Sequence, residues 1–221
     1  MSRREILVRE IEGVVPYDVG NAMQLDAVDA RRAGKAPDTL FLLEHAPVVT
    51  LGRNAAEAGV VATADELARA GIEVRRSERG GQTTYHGPGQ IVGYPIVDLR
   101  ELRSGVAQYV RGLEETMIRA AGAFGVSAKR RDGIVGVFAD EGSGSKIGAI
   151  GVRVSRGIAF HGFAFNVAPN IDHYRFIVPC GRTAVGVASL ASLLGAAPAM
   201  AAVRGALIAA FADVFDLTPI R

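Results

Sequence analysis

The strongest constraint on the fold is a pair of strand-like runs, Lys146 to Val154 and Ile158 to Val167, set on either side of Ser155-Arg156-Gly157. Runs joined by so short a link must be antiparallel neighbours, because a parallel pair needs a crossover of about a dozen residues or more. The rest of the chain lacks regular strand–helix alternation. Glu5 to Glu10, Thr39 to Glu44, Val48 to Gly52, Ile72 to Arg76 and Ile91 to Leu99 read as strands, and Ser77 to Gln90 reads as a long polar loop. Pro16 to Arg32 reads as a helix, with Pro16 at its start and Gly34 as its stop. Thr63-Ala-Asp-Glu66 is a capping box that opens a short helix ending near Gly71. Val106, Val110, Leu113, Met117, Ala120 and Phe124 form the apolar stripe of another helix, closed by Gly125. From about Val187 onward the chain reads as two helices broken around Gly195 to Pro198. This order predicts an α/β (α+β) fold, a single domain over residues 1–221 with a mixed, largely antiparallel sheet, and not a doubly wound parallel one.

Composition narrows the function classes. With 49% hydrophobic and 22% charged residues among 221, the chain can bury a sizeable core and is not disordered. Its most apolar stretch, Leu190 to Phe215, is interrupted by Ser192, Gly195, Pro198 and Arg204, which argues against a membrane span. The start, Met-Ser-Arg-Arg-Glu-Ile, has no apolar signal core. A single cysteine excludes an internal disulfide and a cysteine-based zinc cage, so a cytoplasmic protein is expected. The formal net charge of +2 argues against a dedicated nucleic-acid binder. Lys35, Lys129 and Lys146 are the only lysines, and the remaining positive charge is arginine. Each lysine is therefore informative, since a desolvated lysine can give up its proton and an arginine cannot.

Four clusters carry possible chemistry. Arg79-Gly-Gly-Gln-Thr-Thr-Tyr-His-Gly-Pro-Gly-Gln90 combines glycines, which let the backbone approach a ligand, with Arg, Gln, Thr, Tyr and His as polar partners. It matches neither a dinucleotide fingerprint nor a phosphate loop, and no nucleotide is implied. Lys146-Ile-Gly-Ala-Ile-Gly151 opens an apolar strand with a lysine and leaves room at Gly148 and Gly151. Ile158-Ala-Phe-His161-Gly-Phe-Ala-Phe-Asn166 is its partner. A two-residue turn at Ser155-Arg156 would pair Lys146 with Phe165 and Ile150 with His161, putting Lys146 and His161 on one face. A three-residue turn reverses that parity, and the role of His161 stays open. The fourth cluster, Ile177-Val-Pro-Cys180-Gly-Arg, sets the only thiol in a Pro/Gly turn beside Arg182. A thiolate is the nucleophilic form and a nearby cation favours it. The residues alone leave its base open between His173, seven positions away, and a lysine.

Arg79-Gly-Gly-x-x-Thr-Tyr-His-Gly-Pro-Gly-Gln90, Lys146-Ile-x-Ala-Ile-Gly151, His161-Gly-x-x-x-Asn166 and Pro179-Cys180-Gly181, in this order and preceded by Leu43-Glu-His-x-Pro-Val-x-Thr-x-Gly52, resemble the octanoyltransferases of protein lipoylation. The resemblance implies a domain like the catalytic domain of lipoate and biotin protein ligases. It also implies transfer of an octanoyl group from octanoyl-acyl carrier protein to a lysine of lipoyl domains, those of 2-oxoacid dehydrogenase complexes and the glycine cleavage H protein. By position, Cys180 matches the family's thioester-forming nucleophile and Lys146 the lysine that activates it and then acts as general base. Arg79, Gly80, Gly81, Gln82, Thr83, Thr84, Tyr85 and His86 match the substrate-binding loop. Ala149, Ile150 and Gly151, with Gly162, Phe163 and Ala164, match the segments lining the acyl pocket. Thr83 and Phe138 depart from the family pattern, which more often has an apolar β-branched residue and a tryptophan there. No cofactor is implied, nor any nucleic-acid or membrane partner, and a monomer is expected. Arg31, Arg32, Arg130 and Arg131 are candidate docking residues for acidic carrier and lipoyl domains.

Overall fold

The computed structural model describes residues 3–140, 144–178 and 186–221. Its strands are β1 (Arg4–Val15), β2 (Thr39–His45), β3 (Val48–Leu51), β4 (Glu73–Arg76), β5 (Thr83–His86), β6 (Gln90–Asp98), β7 (Ala128–Arg131), β8 (Ile134–Ala139), β9 (Lys146–Ser155), β10 (Ile158–Asn166) and β11 (Leu217–Ile220). The helices are α1 (Tyr17–Arg32), α2 (Ala64–Arg69), α3 (Val106–Gly122), α4 (Leu190–Leu194) and α5 (Met200–Phe215). Eight strands form one sheet in the order β11-β1-β2-β6-β10-β9-β8-β7, and β4-β3-β5 form a small second sheet. In the large sheet β1 runs parallel to β11 and β2, while every other pairing is antiparallel. The largely antiparallel α/β fold expected from the sequence is therefore what forms.

Strands β6 and β10 lie at the centre, and all nine residues of each are buried. This is why both read as nearly continuous apolar runs and not as alternating ones. Helices α3 and α5 cover one face, where Tyr109, Leu113 and Met117 meet Val203, Leu207 and Phe211 over Ile147, Phe163 and Phe165. Helix α1 covers the other face, with Val28 packed among Ile96, Ile158 and Phe160. The stripe of α3 starts one turn later than expected. Val106 is 49% exposed, and the buried residue of the first turn is Tyr109.

Other departures have local causes. The segment expected as an unbroken polar loop contains β5, whose residues pair antiparallel with β3. Thr83, Tyr85 and His86 are buried there although two of them are polar. The hairpin β7–β8 and strand β11 are additions to the expected elements. The turn between β9 and β10 is Arg156–Gly157, both with positive φ (52° and 87°). Ser155 therefore pairs with Ile158, Ile150 with Phe163 and His161 with Val152, two residues out of the expected register. A slip of two alone preserves parity, but alternation breaks at His161: with φ +56° it stacks on its neighbour Phe160, on the α1 side, while its partner Val152 packs against the core under α3.

Candidate active site

A cavity of about 300 Å³ lies between β9 and β10 of the large sheet and the segment running from Arg79 into β5. It is at the small end of ligand-binding cavities. Gly80 donates its N–H to the carbonyl of Val152 at 3.0 Å, laying the glycine-rich segment directly on β9. A Cβ on Gly151 would stand 2.9 Å from the Gly80 carbonyl oxygen and 3.0 Å from Arg79 Cδ, so this approach needs glycine.

Arg79 ties the segment together. It is 8% exposed; its Nε and one terminal nitrogen donate to Thr50 Oγ1 at 3.1 and 2.8 Å. The same terminal nitrogen reaches the carbonyls of Thr50 and Gln82 at 2.7 Å each, and the other reaches that of Gly80 at 3.0 Å. A buried polar chain continues from Thr50. Asn166 donates through Nδ2 to the Ala188 carbonyl at 3.0 Å, and its Oδ1 accepts from Gln90 Nε2 at 2.9 Å. Gln90 Oε1 accepts from His86 Nδ1 at 2.7 Å, and His86 Nε2 accepts from Thr50 Oγ1 at 3.4 Å. The carbonyl at one end and the guanidinium at the other fix every direction in the chain, and His86 is the neutral tautomer protonated on Nδ1. Burial, then the neighbouring His45 and the charge of Arg79, holds its pKa down at about 3.

Lys146 opens β9, is 6% exposed, and lines the cavity. Nζ donates to the Val135 carbonyl at 2.9 Å and stands 5.1 Å from the centre of the Phe138 ring. Its backbone is clamped to the chain that follows the lone cysteine: Lys146 N–H donates to the Gly186 carbonyl at 2.8 Å, and Ala188 N–H donates to the Lys146 carbonyl at 3.0 Å. Before the cysteine, Val178 N–H donates to the Gly59 carbonyl at 2.9 Å. Cys180 itself lies outside the described residues.

Of the other expected site residues, Arg79, Gly81, Gln82, Thr83, Thr84, His86, Ala149, Ile150, Gly151, Gly162, Phe163 and Ala164 line the cavity together with Lys146. Gly80 and Tyr85 do not line it. Gly80 bonds to β9, and Tyr85 is packed edge-on to His173 and Tyr174 in a separate core. His173, one candidate base for the thiol, donates or accepts at Tyr85 Oη (2.8 Å) and belongs to that core's edge.

His161, left open by the sequence, lines the cavity too. It has φ +56°, stacks on Phe160 and meets Tyr94 edge-on. Burial first, then the charge of Arg79, lowers its pKa to about 4. His45 donates through Nδ1 to the Val15 carbonyl at 2.9 Å and receives the Tyr94 hydroxyl at 2.7 Å. Burial lowers its pKa to about 4. Tyr17, Val92, Tyr94, Gly133, Ile134 and Val135 also line the cavity, and the sequence reading missed them. Only the polar tips of Tyr17 and Tyr94 in otherwise apolar stretches offered a signal.

The expected docking arginines are already engaged. Arg31 pairs with Asp38 and Glu101, Arg32 with Asp29, and Arg130 with Glu114 and Glu115, while Arg131 lies over the Phe138 ring. Among the described residues no cluster of His, Cys, Asp and Glu could hold a metal ion, and no helix is long and apolar enough to cross a membrane.

Residues 16–212 match the family model of the lipoyl protein ligase A/B catalytic domain. An octanoyltransferase of Chloroflexus aggregans is 46% identical over 210 residues, 95% of this chain and 95% of that protein. One from Rubrobacter xylanophilus is 42% identical over 214 residues, 96% of this chain and 95% of that protein. Among solved structures, a bipartite lipoate protein ligase of Thermoplasma acidophilum superposes with a TM-score of 0.73 at 19% identity, covering 100% of this chain and 88% of that one. The biotin protein ligase of Aquifex aeolicus gives a TM-score of 0.52 at 10% identity, covering 98% and 70%. These two likenesses concern the fold, which is that of the lipoate and biotin protein ligase catalytic domains. The family match and the identity to its curated relatives together place the chain in the lipoyl protein ligase A/B catalytic-domain family, among the octanoyltransferases.

Proposed function

We propose that this chain, acting as a single-domain cytoplasmic monomer, transfers the octanoyl group of octanoyl-acyl carrier protein to a lysine of lipoyl domains through a thioester on Cys180. The Cys180 thiolate attacks the donor's thioester carbonyl; the carrier's thiolate leaves and takes up a proton. The acceptor lysine amine then attacks the enzyme thioester, Lys146 accepts a proton from it, and Cys180 leaves as thiolate while the amide forms. A thioester donor is already activated, so the two steps balance without ATP or a metal. Acceptors of this chemistry are the lipoyl domains of 2-oxoacid dehydrogenase complexes and the H protein of glycine cleavage.

The observation that carries the reading is the clamp between Lys146, which lines the cavity, and residues 186 and 188, six and eight positions after the only cysteine. The cavity has an apolar side, from Ile134, Val135, Ala149, Ile150, Phe163 and Ala164, suited to an alkyl chain. Each buried CH₂ contributes about 0.8 kcal/mol, so an eight-carbon chain gains several kcal/mol over a short one. Arg79 to Gln82 and Thr83 to His86 act here as the cover of the acyl site.

The test is a reconstituted transfer with octanoyl-acyl carrier protein and a lipoyl domain. The expected result is octanoyl amide on the domain without ATP, lost in Cys180→Ala. Full activity of Cys180→Ala with ATP and free octanoate would instead mark an adenylate-forming ligase. Preference for an octanoylated protein over the acyl carrier as donor would mark an amidotransferase.

A further inference from the structure

Strand β8 leaves regular pairing beside Lys146. Its ladder to β7 slips between Lys129↔Phe138 and Arg131↔Ile134, and its ladder to β9 slips between Val137↔Gly148 and Phe138↔Lys146. Such bulges free backbone groups from the ladder and re-aim neighbouring side chains. Gly136 sits at the irregularity with φ +130°. A Cβ there would stand 2.6 Å from the Gly148 carbonyl oxygen, 3.0 Å from Lys146 Nζ and 3.1 Å from Lys146 Cε. The lysine side chain therefore runs through space that only a glycine leaves.

The peptide unit joining Val135 to Gly136 has a partner at each end. Its carbonyl accepts from Lys146 Nζ at 2.9 Å, and its N–H donates to Glu114 Oε1 at 2.9 Å. Glu114 projects from α3 and is 6% exposed. Its other oxygen accepts from Arg130 Nε at 3.1 Å, and Arg130 is held in turn by the Arg111 carbonyl and Glu115. A carboxylate is costly to bury unless it is hydrogen-bonded and paired, and this one has both partners. Because the peptide is planar and rigid, a carboxylate fixing its N–H also fixes where its carbonyl points. Hydrogen bonds at the two ends polarise one another and strengthen both.

We propose that Glu114 is a positioning residue for the transfer, acting through the Val135–Gly136 peptide to aim the Lys146 amine at the cavity. The inference rests on the role given to Lys146 above.

The experiment compares Glu114→Leu, Glu114→Gln and Lys146→Ala in the transfer assay, together with the rate at which iodoacetamide alkylates Cys180, the chain's only thiol. Glutamine keeps an oxygen to accept the Gly136 N–H, and leucine does not. Glu114→Leu should lower kcat about ten-fold or more while leaving KM for the donor within about two-fold, because the lost contact acts on the reacting groups and not on substrate binding. It should also slow alkylation, and Glu114→Gln should restore most of both. Circular dichroism and thermal unfolding establish that the variants are folded; if leucine prevents folding, Glu114→Ala, which admits water, carries the same comparison. Wild-type kcat and alkylation in the leucine or alanine variant, or a glutamine variant as impaired as the leucine one, would overturn the proposal. If Lys146→Ala abolishes transfer in that case, only the positioning claim falls. If Lys146→Ala is itself fully active, the role of Lys146 falls with it.

Discussion

Ala188 and Lys146 are joined through the backbone, with the Ala188 N–H donating to the Lys146 carbonyl at 3.0 Å. The Ala188 carbonyl in turn accepts from Asn166 at 3.0 Å, at the end of the chain that runs back through Gln90, His86 and Thr50 to Arg79. The same buried polar chain thus reaches from the cover of the cavity to the segment that returns from Cys180. It gives a fold-level reason for polar residues in two fully buried strands, since each of them satisfies the next.

Asn166→Ala breaks this chain in the middle of the core. It takes the side-chain donor from the Ala188 carbonyl, while Gln90 Nε2 keeps the Tyr85 carbonyl and the Tyr174 hydroxyl, and one unmet buried group costs about 1–3 kcal/mol. Urea unfolding should show a loss of that order. The folded variant should also transfer octanoyl more slowly than wild type at 25 °C, because the 186–188 segment is less firmly held against Lys146. Unchanged stability and rate would show that the chain does not hold this segment.

Acid should destabilise the protein well above the range where carboxylates titrate. His45, His86 and His161 have pKa values lowered from 6.5 to about 4, about 3 and about 4 by burial. The charged and titratable groups facing them are Arg79, Glu78, Arg153 and the tyrosines Tyr17 and Tyr94. In the folded chain the three stay neutral while the unfolded chain takes up protons. Their stabilisation is complete above pH 6.5 and is lost as pH falls toward the folded values. Each histidine contributes up to about 1.4 kcal/mol per pH unit in that window. Unfolding free energies measured from pH 7.5 to 4.5 should fall steeply below 6.5, and His161→Phe should flatten the slope. A flat profile across that interval would contradict the burial of neutral imidazoles.

Arg79→Lys keeps the charge but cannot span Thr50, Gly80 and Gln82 at once, since an ammonium lacks the planar fork of a guanidinium. The glycine-rich segment should then loosen from β9. Hydrogen exchange at residues 80–84 should speed up, and KM for the octanoyl donor should rise several-fold. Exchange as slow as in the wild type would mean that the Gly80 bond to Val152 alone is enough.

The central hairpin, the α1 and α3 helices and the capping box at Thr63 were legible in the sequence because period, turn residues and caps agree there. Strand β5 was not, because Thr83-Thr84-Tyr85-His86 is buried against polar partners and so carries no apolar alternation. The register of β9 and β10 was misplaced by two because Arg156, a non-glycine residue, takes a left-handed conformation that composition does not announce. Most of the cavity-lining residues were legible through the motifs that resemble the family, while the residues alone marked glycine-rich stretches where a backbone can come close to a ligand. Tyr94, Val135 and Glu114 were not, because their places depend on which strands become neighbours. Cys180, the proposed nucleophile, was read from its turn and its likeness to the family, and it lies outside the described residues.

The most direct test of the account is the intact mass of the protein after brief mixing with octanoyl-acyl carrier protein in the absence of an acceptor. The account predicts a mass increase of one octanoyl group, released by hydroxylamine, absent in Cys180→Ala and discharged when a lipoyl domain is added. A protein that binds the donor yet gains no mass, or that gains it equally without the cysteine, would contradict it.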